Sequence, residues 1–219
     1  MGFYTKYMEK QEIRTFGRRH GKKLSARKQH LLANVLPAIT AKNDENAGDF
    51  NILEIGFGAG EHVRDLAREN PDATIIGAEP FVNGVAALLG AMTDEKTNEI
   101  LPEYKNIRVY PDDVRDFLRA GNMKFRQIWV LHPDPWPKAK HEKRRLLQRE
   151  FLEMLALHLT DNGEIIIGTD HWGYYDWLID QVSHTNLNAT VPDIATIQTR
   201  YQNKNMAETD APKYLVVTQ

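Results

Sequence analysis

From Asn51 onward, the apolar positions fall into short blocks of two alternating kinds. Dense Ile, Val and Leu blocks predict buried strands over Asn51–Gly56, Thr74–Glu79, Ile107–Tyr110, Phe125–Leu131 and Glu164–Thr169. Between them, apolar residues recur three or four positions apart. That spacing predicts helices over Glu61–Glu69, Val82–Met92, Val114–Arg119, Lys143–Leu159 and Tyr174–Val182. In the first of these, Val63, Leu66 and Ala67 share a face, and Pro71 follows as a stop. Ala195–Gln198 and Tyr214–Thr218 predict two closing strands. Upstream, a helix is expected from about Ser25 to Ile39, then a polar linker over Ala41–Asp49. Strands that take turns with helices imply an α/β fold, a doubly wound and mostly parallel seven-stranded sheet of Rossmann-like type.

In such sheets ligands bind beyond the carboxyl ends of the strands. Here those ends read Gly56–Gly60, Glu79, Asp112/Asp113, Asp134 and Asp170. Four of the five carry a carboxylate, which makes that edge of the sheet the place to look for chemistry.

Composition narrows the chemistry. The chain has 219 residues and no cysteine, so disulfides, thiolate metal sites and a cysteine nucleophile are excluded, and no metal is expected. The longest apolar runs are too short to cross a bilayer, and charges begin at Lys6, so no membrane association is expected and the cytoplasm is the expected compartment. The formal net charge of −2 conceals its layout. Residues 1–30 hold nine Lys or Arg against two acids, and residues 138–149 hold six against one. Two basic patches on an acidic body suit a polyanion gripped at chosen places. The first patch lacks apolar periodicity before Ser25. Residues 1–24 are therefore expected to be a flexible basic arm, with a single domain over 25–219.

The first strand runs into Gly56, Gly58 and Gly60. A dinucleotide fingerprint needs Gly or Ala one residue further on, where this chain has Glu61. A carboxylate at a helix start also opposes a diphosphate. S-adenosylmethionine, with a ribose and a sulfonium but no phosphate, suits this loop better. Glu79 stands where a carboxylate accepts ribose hydroxyls. Asp113 lies beside the expected adenine position, though the same residue reads equally well as a helix N-cap.

His132-Pro133-Asp134-Pro135-Trp136-Pro137-Lys138 follows the fourth strand. Its three prolines stiffen the loop that carries Asp134. Trp136 offers a stacking face beside a cationic stretch, the combination a nucleic-acid site needs. Methylation at a pyrimidine C5 usually requires a thiolate, so a nitrogen or oxygen acceptor is expected. Guanine N7 already presents a lone pair, and alignment plus charge stabilisation would suffice there.

Five segments together resemble the bacterial tRNA (guanine-N7-)-methyltransferase family. They are Arg14-Thr15-Phe16-Gly17-Arg18-Arg19, Leu53-Glu54-Ile55-Gly56-Phe57-Gly58, Pro133-Asp134-Pro135-Trp136 with Lys138 and the basic run, Gly168-Thr169-Asp170, and Thr199-Arg200-Tyr201. The resemblance implies a class I S-adenosylmethionine-dependent fold and methylation of guanine 46 in the tRNA variable loop. It implies cofactor contacts at Glu54, the glycines 56, 58 and 60, Glu79, Asp113 and Asp134, with Asp134 catalytic. It places Lys138, Asp170, Thr199, Arg200, Tyr201 and Gln202 at the substrate, and Lys140, Lys143, Arg144 and Arg145 on the RNA. Where the family usually has Glu, this chain has Gln202, so binding at that point should weaken. On the residues alone, two other readings stay open: another nucleic-acid amino-methyltransferase, and a tRNA-binding module without turnover.

Overall fold

The computed structural model describes residues 17–42, 51–192 and 212–219. Its strands are β1 (Asn51–Ile55), β2 (Thr74–Ala78), β3 (Ile107–Tyr110), β4 (Phe125–Leu131), β5 (Leu159–Thr169), β6 (Asn188–Thr190) and β7 (Lys213–Thr218). They form one seven-stranded sheet in the order β3-β2-β1-β4-β5-β7-β6. The first five strands in chain order pair in parallel, while β7 runs antiparallel to both β5 and β6. The helices are α1 (Ala26–Asn34), α2 (Leu36–Ile39), α3 (Glu61–Glu69), α4 (Val82–Met92), α5 (Val114–Arg119), α6 (Arg149–Leu157) and α7 (Trp172–Ser183).

Strand residues alternate between two apolar layers, as the two-residue period requires. Ile52, Ile75 and Ile107 pack with Leu31, Val63 and Leu88 from α1, α3 and α4 on one face. Leu53, Ile76 and Ile128 pack with Phe117, Leu155 and Leu178 from α5, α6 and α7 on the other. The chain leaves β1 toward β2 and β3 on one side, then returns to place β4 on the other side. The sheet's switch point therefore opens between β1 and β4, beneath the glycine loop and the proline-rich loop.

Several boundaries differ from expectation. The helix expected from Ser25 to Ile39 is two helices, because Pro37 lies in the first turn of α2 and cannot carry the α1 ladder onward. The helix expected over Lys143–Leu159 begins only at Arg149. Before it lies a 3₁₀ segment, Ala139–Arg144, and Arg145 takes an extended backbone (φ −59°, ψ 137°). The Gln148 amide bridges this break, donating to the Glu142 and Arg145 carbonyls at 2.8 and 3.1 Å. β5 starts five residues earlier than expected, at Leu159. The exposed β6 carries no apolar signal, and the expected strand Ala195–Gln198 lies outside the described residues.

The expected arm does not stay apart as far as Ser25. The Arg19 carbonyl accepts from Val82 N at 3.0 Å, and Gly21 N donates to Asn83 Oδ1 at 2.8 Å. Asn83 Nδ2 in turn donates to the Lys22 carbonyl at 2.7 Å, and Arg19 pairs with Asp112 at 2.7 Å. Residues 19–22 thus strap the start of α4 to the end of β3. A side chain at Gly21 would collide with the Phe81 ring, which explains why only glycine lets the strap lie so close. Residues 1–16 lie outside the described residues. No helix among the described residues is long and apolar enough to cross a membrane.

Candidate active site

The loop from β1 to α3 turns through three left-handed glycines, with φ of 75° at Gly56, 58° at Gly58 and 79° at Gly60. These are conformations that side-chain-bearing residues rarely adopt. The loop also lies tight against α4: a Cβ on Gly84 would stand 2.4 Å from the Gly58 carbonyl oxygen. By contrast, the space around Gly58 itself is open. The loop therefore presents bare backbone to a ligand on one side while the protein braces it on the other.

Glu79 directly follows β2 and is buried. Its Oε2 accepts from Gly58 N at 2.8 Å and its Oε1 from Phe81 N at 2.9 Å. This fixes the carboxylate under the glycine loop. Burial pushes its pKa above the usual carboxylate range. The Phe81 and Gly58 N–H groups oppose that rise, while the negative Glu54 and Asp134 add to it. The carboxylates of Glu54, on β1, and Asp134, in the loop after β4, thus bear on Glu79 in one cleft.

Glu54, on β1, is also buried, and its Oε2 lies 3.0 Å from His62 Nδ1 on α3. The His62 ring stands edge-on to Trp129, 4.8 Å between centroids. Burial alone would lower the His62 pKa, but the Glu54 carboxylate, helped by Asp65 and Glu69, outweighs it, and the net shift is upward. Sequence reasoning missed His62. Its position eight residues after Glu54 carries meaning only once the strand–loop–helix turn is built.

Asp113 behaves as the N-cap of α5 as well as a strand-end acid. Its Oδ1 accepts from Arg115 N at 3.0 Å and Arg115 Nε at 2.8 Å, and its Oδ2 pairs with the Arg115 guanidinium. The carboxylate is thereby anchored at the end of β3.

The Pro-Asp-Pro-Trp loop is bracketed by two non-glycine residues in the left-handed region, His132 (φ 48°) and Trp136 (φ 43°). Such strain gathers at functional sites. Asp134, between them, is exposed. Asp170 follows β5 on the adjacent strand, with its Oδ1 3.7 Å from His132 Nδ1. Burial lowers the His132 pKa and Asp170 partly offsets this, so His132 favours its neutral form.

The basic run divides in two. Lys138, Lys140 and Lys143 are exposed, and Arg144 lies 5.0 Å from the Trp136 ring centroid. Arg145, expected on the RNA, is instead buried: only 4% of its side chain is exposed, and its guanidinium turns inward to the loop carbonyls. Thr199, Arg200, Tyr201 and Gln202 lie outside the described residues.

The strand order, the glycine loop and the carboxylate beneath it together define a class I methyltransferase, dependent on S-adenosylmethionine. A family model described as "Putative methyltransferase" matches residues 49–215. A tRNA (guanine-N(7)-)-methyltransferase of Paramagnetospirillum magneticum is 38% identical over 177 residues, covering 75% of this chain and 72% of that protein. A second, of Rhodospirillum rubrum, is 33% identical over 230 residues, covering 94% and 88%. The chain belongs to this tRNA (guanine-N(7)-)-methyltransferase family. The crystal structure of the 16S rRNA methyltransferase KamB superposes with a TM-score of 0.52 at 13% identity, covering 90% of this chain and 93% of that one, a likeness of fold.

Proposed function

We propose that the protein transfers a methyl group from S-adenosylmethionine to N7 of guanine 46 in the variable loop of tRNA. One observation carries the reading: the buried Glu79 carboxylate is pinned beneath the glycine loop, accepting from Gly58 N at 2.8 Å and Phe81 N at 2.9 Å, with the acids Glu54 and Asp134 in the same cleft. Such a cleft repels a diphosphate and suits a ligand made of hydroxyls, an ammonium and a sulfonium. Glu79 would accept from the ribose hydroxyls and Glu54 from the ammonium. When bound, the cofactor supplies the electrophilic methyl. The glycine loop would give the close backbone approach, and Asp113 would face the adenine.

On the substrate side, Asp134 would accept from the N1–H and amino edge of guanine and offset the positive charge that develops on the ring. Guanine N7 has its own lone pair, so no base is needed. Asp134 would act by orientation and electrostatics. Lys138, Asp170 and residues 199–202 would complete the substrate site. Lys140 and Lys143 would bind tRNA phosphates, with Trp136 and Arg144 as a stacked pair beside the base. The protein would act on tRNA in the cytoplasm, without a metal.

Transfer of a labelled methyl group to unmodified tRNA, followed by mapping of the modified base, tests the assignment. Label at guanine 46 N7 is expected, and label elsewhere or none overturns it. Asp134→Asn turns an acceptor into a donor opposite guanine's own donors. Single-turnover methylation should fall about 100-fold or more, the scale of one preorganised electrostatic partner. A near-normal rate would remove Asp134 from the chemistry.

A further inference from the structure

One guanidinium in the basic run departs from the rest. Arg145 Nε donates to the Pro135 carbonyl at 2.8 Å, and its Nη2 lies 3.4 Å from the Trp136 carbonyl. Its Cζ sits 4.8 Å from the Trp177 ring centroid and 5.7 Å from that of Tyr174, both on α7. Glu142 Oε1 stands 3.6 Å from Nη1 and supplies counter-charge. The planar fork therefore spans from the wall of α7 to two consecutive carbonyls of the Pro-Asp-Pro-Trp loop.

That loop needs an external clamp. Pro133, Pro135 and Pro137 have no N–H to donate. Among the described residues, no backbone–backbone hydrogen bond holds residues 133–137. One end is fixed where His132 N donates to the Gly168 carbonyl at 2.8 Å. The other end, just past Asp134, is fixed by Arg145. The left-handed Trp136 must be held against its own strain, and the fork holds the carbonyls of the two peptides that flank the Trp136 Cα. A reacting group displaced by about 1 Å loses on the order of 100-fold in rate.

We infer that Arg145 is a positioning residue, which sets Asp134 against the guanine by clamping the Pro135 and Trp136 carbonyls, and is not a phosphate contact. The inference rests on the proposed role of Asp134. It also explains why the helix expected from Lys143 breaks: Arg145 must leave the helical path to reach the loop.

The test compares R145K, R145Q, D134N and the R145K/D134N double variant in the full-length protein. Each is measured for single-turnover methylation at saturating tRNA, tRNA affinity across salt concentrations, and S-adenosylmethionine affinity. Lysine keeps the charge and loses the fork, while glutamine keeps a donor and loses the charge. Both Arg145 variants should lose about 10-fold or more in rate, with tRNA affinity within about twofold and an unchanged salt slope. R145K should add little to the loss already present in D134N, because both act through one carboxylate. Retained cofactor affinity verifies the fold, and either Arg145 variant alone suffices for the comparison. Normal turnover by R145K, with a salt slope reduced by about one in R145Q, would make Arg145 a phosphate contact and overturn the inference. Full additivity of R145K with D134N would overturn it too. A wild-type rate in D134N alone would instead sink the role of Asp134, a result visible without any Arg145 variant.

Discussion

Glu79→Gln isolates the contribution of a single buried charge to cofactor binding. In the native protein both carboxylate oxygens accept a backbone N–H, from Gly58 at 2.8 Å and from Phe81 at 2.9 Å. The amide can satisfy only one of them, and its NH₂ group then faces the other N–H donor to donor. A hydrogen bond to a charged group contributes about 1.5–3 kcal/mol. That corresponds to about 10- to 150-fold in affinity at about 1.4 kcal/mol per decade. The loss falls on the glycine loop and the ribose contact together, so S-adenosylmethionine affinity should drop by about that factor. Stability of the cofactor-free protein should change far less. Burial has raised the Glu79 pKa, so ionised Glu79 opposes folding. This penalty is absent below the ordinary carboxylate pKa and grows as pH rises through the folded-state value. The neutral amide escapes it, which offsets part of the lost hydrogen bond. Calorimetric titration across pH reads both effects. Native affinity should weaken as pH falls through the raised Glu79 pKa, whereas that acid limb should vanish in the variant. Affinity within about threefold of native, with the acid limb intact, would refute the placement of the ribose on Glu79.

The exposed Lys140 and Lys143 should each contribute to the salt dependence of tRNA binding. Neutralising both should lower the slope by roughly two, and an unchanged slope in filter binding would return them to a solvated surface. Truncation should separate the two halves of the N-terminal segment. Removal of residues 1–18 should spare cofactor affinity, whereas removal of 1–24 also deletes the strap from Arg19 to Lys22 on Asn83 and should weaken it; equal cofactor affinity in the two truncations would refute a role for the strap. His62→Gln should alter how stability depends on pH. Protonated His62 beside Glu54 contributes stability that is complete below the ordinary imidazole pKa and fades as pH rises through the raised folded-state value. Thermal unfolding between acid and mildly basic pH should lose that component in the variant, and an identical profile would show that the pair is not coupled.

Periodicity alone determined much of this protein. Buried parallel strands must be apolar on both faces, so β1 to β5 stood out as dense Ile, Val and Leu blocks, and their ends located the cleft. Glycines 56, 58 and 60 and the acid at Glu79 were legible from their places after the first and second strands, where tight turns favour glycine and ligands bind. What stayed hidden depends on direction in space. The exposed β6 has no apolar signature, since an edge strand is set by pairing with β7 and not by burial. The strap at Arg19–Lys22 reads as a charged tail until Asn83 and Asp112, more than sixty residues away, supply its partners. Within the basic run, one-dimensional charge cannot tell Lys143 from Arg145. Only the packed structure turns one to solvent and the other to the Pro135 and Trp136 carbonyls. A guanidinium can be buried there because aromatic faces, two carbonyl oxygens and Glu142 replace the water it gives up.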